Sequence, residues 1–454
     1  MTHLRPERFH VRYWRIKFGL LCILLVLLAM IAYPALAAQQ PACTFERVQF
    51  PVDPNMREES WPEISENGRY VAFNVIVDFP EFGGSEETFV YDRQTQELEH
   101  ISVTTDEQIA YNGGDYPGAP TISPDGRFVA FVSESYDLVD FETLNYPNIY
   151  LRDREQGTTE LISYTDNEQR SVGGSWMPSV SANGRFVAFV SDAPNLVAGD
   201  TNQTLDIFLR DRVKGTTERV SVASDGSQGI GEDTLSYPSM KPTVSDDGRY
   251  VVFYYPSLEN DRGINVSGIF LRDREAGKTL FIAPGRNPVM SRDARYILFS
   301  SNARHLDPND EDTEYDVILL DSQTNAFEVV SKDNEGQHNG QISDMHPDIT
   351  PDGRLVVFSS YSDTLFNDEN EVSDVFARDR ENSTLEVLTL NDLGQQADDH
   401  SMWASVSADG RFVAFYSMAT NLVENQPGTK LFICERKQAL SNVLLRFYMP
   451  WISR

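Results

Sequence analysis

A chain of 454 residues that carries 69 acidic against 38 basic side chains, net −31 at pH 7, repels polyanions, so nucleic acid and anionic lipid are poor partners for its body. Its length suffices for one large core. Aromatic and β-branched residues abound and no long helical period is visible, which leaves an all-β chain.

Residues 1–37 read as a targeting segment. Arg5, Arg8, Arg12, Arg15 and Lys17 form a basic flank, Phe18 to Ala32 is apolar, and Ala35-Leu36-Ala37 fits a small-x-small cleavage site. The uncharged run to Ala38 is also long enough to span a bilayer, so a cleaved signal peptide and a retained N-terminal anchor both remain open. Either way the body is expected outside the cytoplasm, in the periplasm or beyond the cell. Without the leader its net charge is about −35. Such a surface suits soluble export, cationic partners or bound Ca²⁺.

Next, Thr44-Phe45-Glu46-Arg47-Val48-Gln49-Phe50 resembles a lone edge strand with no sheet before it. From residue 60 a unit then recurs seven times. Its centre is Ser181-Ala182-Asn183-Gly184-Arg185-Phe186-Val187-Ala188-Phe189, and its arginines fall at Arg69, Arg127, Arg185, Arg249, Arg295, Arg354 and Arg411. The spacings are 58, 58, 64, 46, 59 and 57 residues, and a phenylalanine follows each arginine by four. Glycine precedes the arginine in every copy except at Ala294. Each unit reads as four short strands, A to D. Strand A is a run such as Pro178 to Ser181, and an Asn-Gly or Asp-Gly hairpin turn follows it. Strand B alternates at period two, strand C is a run such as Ile207-Phe208-Leu209-Arg210, and strand D one such as Glu218 to Val222. Seven four-stranded sheets bury both faces only by stacking radially, so the spacing predicts a seven-bladed β-propeller over 44–436. The last unit lacks strand D after Cys434, and the strand at 44–51 is expected to complete it and close the ring. Residues 437–454 are an apolar tail, too short to span a membrane.

The pattern Ser-x-Asp-Gly-Arg-x-Val-Ala-Phe, then Asp-Ile-Phe-Leu-Arg-Asp-Arg, then a Thr-Glu-x-Val-Ser strand resembles the TolB-type, WD-repeat-like propeller repeat over about residues 46–436. The resemblance implies the propeller and says little about activity, because such scaffolds host many roles. Proteins of that type have six blades and an N-terminal α/β domain; with seven repeats counted here, no such domain is expected.

Function is expected on the face of the B–C and D–A loops and at the channel mouth, because those loops are long and polar while the A–B and C–D turns are short. Three B–C loops share one spacing: Asp200-x-Asn202-x-x-x-Asp206, Asp310-x-Asp312-x-x-x-Asp316 and Asp368-x-Asn370-x-x-x-Asp374. Alternating Asp and Asn can supply oxygen ligands to Ca²⁺, and they equally favour Asx-turns that need no metal. The Gly-Arg arginine and the Asp that ends strand C read as turn or blade-packing residues. His338, His346 and His400 lie in D–A connectors and read as solvated loop residues rather than a metal or acid–base cluster. No Gly-x-Ser-x-Gly elbow, Cys-x-x-Cys, P-loop or dinucleotide fingerprint is present. Cys43 and Cys434 are the only cysteines outside the leader; aligned with the other units they flank the C–D turn of the last blade, so a disulfide is expected there. The expected function is a monomeric, non-enzymatic module that binds a protein or an extracellular polymer. The alternatives are a hydrolase or lyase acting on such a polymer at the channel mouth, and a passive Ca²⁺-stabilised surface protein.

Overall fold

In the computed structural model the described residues are 42–48, 56–58, 61–79, 83–109, 118–140, 146–167, 169–230, 240–260, 262–307, 313–338, 341–342, 346–366, 370–423 and 430–437. The proposed leader and the tail beyond Lys437 lie outside them. So do Asp310, Asp312 and Asp368 of the expected cation loops.

Seven antiparallel sheets form a seven-bladed β-propeller. Blade three shows the plan: strand A is Ser175–Val180, B is Phe186–Ser191, C is Asp206–Asp211 and D is Thr216–Arg219. Strand B is buried along its whole length because each blade has a neighbour on both faces, so the usual alternation gives way to a continuous apolar run. The repeated phenylalanines, Phe73, Phe131, Phe189, Phe253, Phe299, Phe358 and Phe415, are all fully buried. Most stack on an aromatic of strand C, as Phe189 does on Phe208 at 5.9 Å and Phe415 on Phe432 at 5.9 Å.

The A–B turn is one hydrogen-bonded box repeated around the ring. In blade three the Ser181 hydroxyl donates to Asn183 Oδ1 (3.1 Å) and accepts the Phe186 amide (3.0 Å), while Asn183 Oδ1 accepts the Arg185 amide (3.0 Å). Gly184 sits at φ +68°, and a Cβ there would lie 2.6 Å from the Phe128 ring of the preceding blade. Two demands therefore select glycine, and Ala294 meets the first of them at φ +60°.

The last sheet takes its fourth strand from the N-terminal side. Cys43–Arg47 pairs antiparallel with Leu431–Arg436, with Phe45 opposite Cys434. A disulfide joins Cys43 to Cys434, whose Cα atoms are 5.1 Å apart.

Two arginines per blade set the joints. The first, of the Gly-Arg step, pairs within its own blade with the Asp ending strand C: Arg185 Nε and Nη2 reach Asp211 at 2.9 and 2.8 Å. That carboxylate also accepts the Val213 and Lys214 amides of the C–D turn. The Arg185 guanidinium holds the Asp211 carboxyl below the usual carboxylate range. At Asp379 burial pulls upward, but Arg354 and the Asn382 amide outweigh it and keep the group at about 2. The second arginine follows that Asp and latches the preceding blade. Arg212 donates to Glu160 of blade two (2.6 Å), to the Gly184 carbonyl of its own blade (2.7 Å), and lies 5.7 Å from the Phe128 ring. The equivalent ion pairs are Arg93–Glu46, Arg154–Glu99, Arg274–Glu218, Arg380–Glu328 and Arg436–Glu386.

The joint between blades four and five departs from this plan. Ser322 stands where the latch arginine should be, and Leu280, an exposed residue, where the glutamate should be. The connector between strand D of blade four, Lys278–Ala283, and strand A of blade five, Arg286–Met290, is Pro284-Gly285 alone. After blades one, two, three, five and six the D–A connector forms a bridged turn, such as Tyr164↔Arg170 or Val222↔Gln228, that bonds the next blade. Asp166 of one such turn accepts the Thr217 amide at 2.5 Å, and Ser224 of another accepts the Thr279 amide at 3.0 Å. The counterpart in blade five is Phe327, which is 37% exposed and meets no such turn among the described residues.

Candidate functional site: the axial cavity and its mouth

The seven A strands line the axis, and three tiers follow from position in the repeat. Eight residues before each Gly-Arg arginine, toward the B–C/D–A face, stand Trp61, Lys241, His346 and Trp403 among smaller residues. Six before it stand Glu63, Thr121, Ser179, Thr243, Asp348 and Ser405, with Val289 in blade five. Three before it, at the opposite end, stand Glu66, Asp246 and Arg292.

The lower end is plugged. Arg292 of blade five reaches across the axis to Glu66 of blade one (2.6 Å), to Asp246 of blade four (3.4 Å) and to the Val180 carbonyl of blade three (3.3 Å). The middle tier joins blades. Ile64 N donates to Ser405 Oγ (3.2 Å), Ile122 N to Glu63 Oε1 (3.2 Å), Val244 N to Ser179 Oγ (3.3 Å) and Val406 N to Asp348 Oδ2 (2.9 Å). Both carboxylates of this tier therefore help to hold neighbouring blades together. Burial pushes the Asp348 carboxyl up, and nearby Glu63 adds to that. Lys241 Nζ lies 3.4 Å from Glu63.

The upper end is an aromatic collar. Trp61 stacks on Trp403 at 4.8 Å and 13°, His346 leans on Trp61 at 5.1 Å, and Trp403 contacts Tyr416 at 5.1 Å. Three blades meet in this ladder, and both tryptophans remain partly exposed. Burial, with Lys241 adding its charge, lowers the His346 imidazole to about 3, so it is neutral at physiological pH. The cavity between collar and plug measures about 150 Å³. That is below the ~300–1,000 Å³ usual for small-molecule sites, so a single side chain fits and a polymer segment does not.

The expected cation loops meet different fates. In blade three Arg219 Nη1 sits 2.9 Å from Asp200 Oδ1 and 3.4 Å from Asp206 Oδ2, so a guanidinium lies between the two carboxylates. Asp206 also accepts from Asn202 Nδ2 (2.8 Å), the Ser221 hydroxyl (2.6 Å) and the Tyr255 hydroxyl (2.9 Å). In the other two loops Asp316 accepts from Ser331 (2.6 Å) and Asp374 from Thr389, while Asn370 Nδ2 donates to the Ala397 carbonyl (2.7 Å). The first residue of strand C thus clasps a hydroxyl two residues beyond strand D in several blades, with or without an acidic loop: Asn148 takes the same bond from Ser163 at 3.0 Å. No group of three His, Cys, Asp or Glu side chains that could hold a metal occurs among the described residues.

The histidines are not solvated loop residues, which corrects the reading from sequence. His338 is nearly buried, 3.4 Å from Asp307; His400 Nδ1 accepts the Ser373 amide at 3.1 Å; and His346 belongs to the collar. They do not form one cluster, because each has different partners. The collar residues escaped the sequence reading. Aligning the repeats on their arginines and scanning the position eight residues earlier would have found them, since Trp61, Lys241, His346 and Trp403 share that column.

No family model matches the sequence, and no curated protein is similar to it. Among solved structures, TolB from Acinetobacter baumannii is similar with 15% identity and a TM-score of 0.42, over 71% of this chain and 63% of that one. The β-propeller domain of the Trilobed protease from Pyrococcus furiosus, described as having an open velcro topology, is similar with 12% identity and a TM-score of 0.49, over 79% of this chain and 90% of that domain. An acylaminoacyl peptidase from Pyrococcus horikoshii is similar with 12% identity and a TM-score of 0.49, over 87% of this chain and 54% of the peptidase. The chain thus spans less than two thirds of that TolB and about half of that peptidase. The fold is read from the seven sheets of the chain itself. The chain is a β-propeller.

Proposed function

We propose that this propeller is an exported, non-enzymatic binding module that holds a protein or an extracellular polymer on its B–C/D–A face, centred on the collar of Trp61 and Trp403. The observation that carries this reading is the commitment of the axial carboxylates. Glu63 and Asp348 bond neighbouring blades, whereas the collar offers partly exposed aromatic surface over a narrow polar cavity plugged at its far end. Tryptophan is the side chain most over-represented where binding energy concentrates. A hydrolase or lyase acting on a polymer needs carboxylates free to act on a bond and room for the chain, and the axis favours neither. Export rests on the basic and apolar segment at residues 1–37. The acidic loops at 310–316 and 368–374 are proposed as Ca²⁺ positions that brace the same face. At the place of Arg219 those blades carry Val329 and Val387, which bring no cation of their own.

The test is capture from an envelope extract by immobilised wild-type protein and by Trp61→Ala and Trp403→Ala variants, quantified by mass spectrometry. A partner retained by wild type and lost by both variants supports the reading. A partner retained equally by all three places binding elsewhere and overturns it.

A further inference from the structure

We propose that the axial cavity receives one cationic side chain of the partner, a primary ammonium on an unbranched stem, seated among Asp348, Glu63 and Thr121 beneath the aromatic collar. This inference rests on the mouth being the binding face and adds the chemistry of the group that enters it.

Size comes first. About 150 Å³ is several times the ~30 Å³ share of a water molecule and far below a polymer's need, so it suits one side chain. Charge comes second. The middle tier carries two carboxylates, Glu63 and Asp348, against one resident cation, Lys241, 3.4 Å from Glu63. Arg292 is engaged below with Glu66 and Asp246, and His346 is neutral. The tier is therefore one positive charge short. The upward shift of the Asp348 carboxyl agrees, since a carboxylate without a nearby cation is costly there.

Hydrogen-bonding capacity comes third. Asp348 Oδ2 accepts from Ser405 Oγ (3.1 Å) and Val406 N (2.9 Å), but among the described residues Oδ1 accepts only Ile349 N (2.8 Å). A carboxylate has about four acceptor positions, so one is left over. Thr121 lines the same cavity, is 3% exposed, and its hydroxyl has no hydrogen-bond partner among the described residues. A buried hydroxyl without a partner is uncommon and points to a group that completes it. An ammonium brings three donors and no acceptor, which matches an excess of acceptors. The collar of Trp61 and Trp403 supplies apolar surface for the stem and π faces for the charge. The acidity of the whole chain, net −31, draws cationic partners toward it.

The experiment is isothermal titration of the full chain with Nα-acetyl-lysine N-methylamide and with its neutral Nε-acetylated analogue. The ammonium form is expected to bind, and the neutral analogue at least about tenfold more weakly, the scale of one charge-assisted hydrogen bond. Asp348→Asn should weaken binding by a similar factor. Thr121→Val, which leaves the blade-to-blade bonds in place, should weaken it less, and Lys241→Met should tighten it by removing the resident competitor. Equal binding of both probes, or tightening absent in Lys241→Met with Thr121→Val unchanged, overturns the proposal. If Trp61→Ala abolishes partner capture while no lysine probe binds, the cationic assignment fails and the mouth remains the binding face. If Trp61→Ala leaves capture intact, the binding face itself is wrong and this proposal falls with it.

Discussion

Arg219 shows how one residue settles what a spacing pattern leaves open. The loop Asp200-x-Asn202-x-x-x-Asp206 has the oxygens of a Ca²⁺ loop, yet a guanidinium already lies between its two carboxylates. Burial pushes both Asp200 and Asp206 up, so their joint ionisation depends on that cation. Removing one partner of such a buried arrangement leaves uncompensated charge and typically costs about 3–5 kcal/mol. Arg219→Val, which copies blades five and six, is therefore expected to destabilise the protein by that order without calcium. With millimolar calcium it should recover part of the loss, because the divalent ion takes the vacated place. Thermal melts of wild type and variant with calcium and with EGTA check this. Wild type should itself gain stability from calcium through the loops at 310–316 and 368–374. A variant that gains no more from calcium than wild type does would show that the blade-three loop is a turn braced by arginine and nothing more.

At the scale of the strand and the joint, the repeat is a set of latches whose value is tested by the place that lacks one. Six joints carry the Arg–Glu latch over a glycine carbonyl. The joint between blades four and five has Ser322 and Leu280, and Ser322 Oγ donates instead to the Ala294 carbonyl at 3.0 Å. The ring of Tyr250 is still present, with its own Arg249 4.8 Å away and no second guanidinium among the described residues. Writing Ser322→Arg together with Leu280→Glu should rebuild the latch. Exposed ion pairs contribute about 0–1 kcal/mol and a cation–π contact about 0.5–1 kcal/mol, so the pair should gain roughly 1 kcal/mol. For a domain of this size that is a rise of about 1–2 °C in melting temperature. The gain should be cooperative: neither single change should deliver it, and a double-mutant cycle by denaturant melts measures the coupling. The same joint should show the fastest hydrogen exchange among the seven, over Lys278 to Met290, since a two-residue connector and an uncovered Phe327 leave fewer bonds to open there.

For the molecule as a whole, closure is the decisive contact. The N-terminal strand Cys43–Arg47 lies beside Leu431–Arg436, and the disulfide spans a separation of 391 residues. In the chain-entropy account a loop of that length adds about 4–5 kcal/mol, although part of the measured effect of disulfides is enthalpic. The double variant Cys43→Ser/Cys434→Ser should still fold, because the strand keeps its ladder, the Arg93–Glu46 pair and the packing of Phe45 on Phe432 at 6.2 Å. It should melt about 5 °C lower by calorimetry. Mass spectrometry of non-reduced peptides from protein purified under non-reducing conditions should show the 43–434 cross-link. Two free thiols there would remove the staple and with it the predicted loss in the variant.

Much of this architecture was legible from residues in one dimension. The Gly-Arg step and the phenylalanine four residues on are local signals: a hairpin turn that requires positive φ and a strand buried on both faces depend on contiguous residues, so the sequence alone determined the number of blades and the order of strands within each. The 46-residue spacing between Arg249 and Arg295 was visible, but the missing D–A turn of blade four and the bared Phe327 were not read from it. The collar and the plug were decided only by the tertiary structure. Trp61, His346 and Trp403 come from three blades and meet because a ring brings equal positions of different repeats to one axis, and Arg292 finds Glu66 across it at a separation of 226 residues. The same holds for Arg219, which stands 13 residues beyond Asp206 and becomes its cation because antiparallel strands C and D fold back on each other. Periodicity specifies which way each side chain points; which side chains then face one another depends on how many blades close the circle and at what radius, and that is a property of the packed whole.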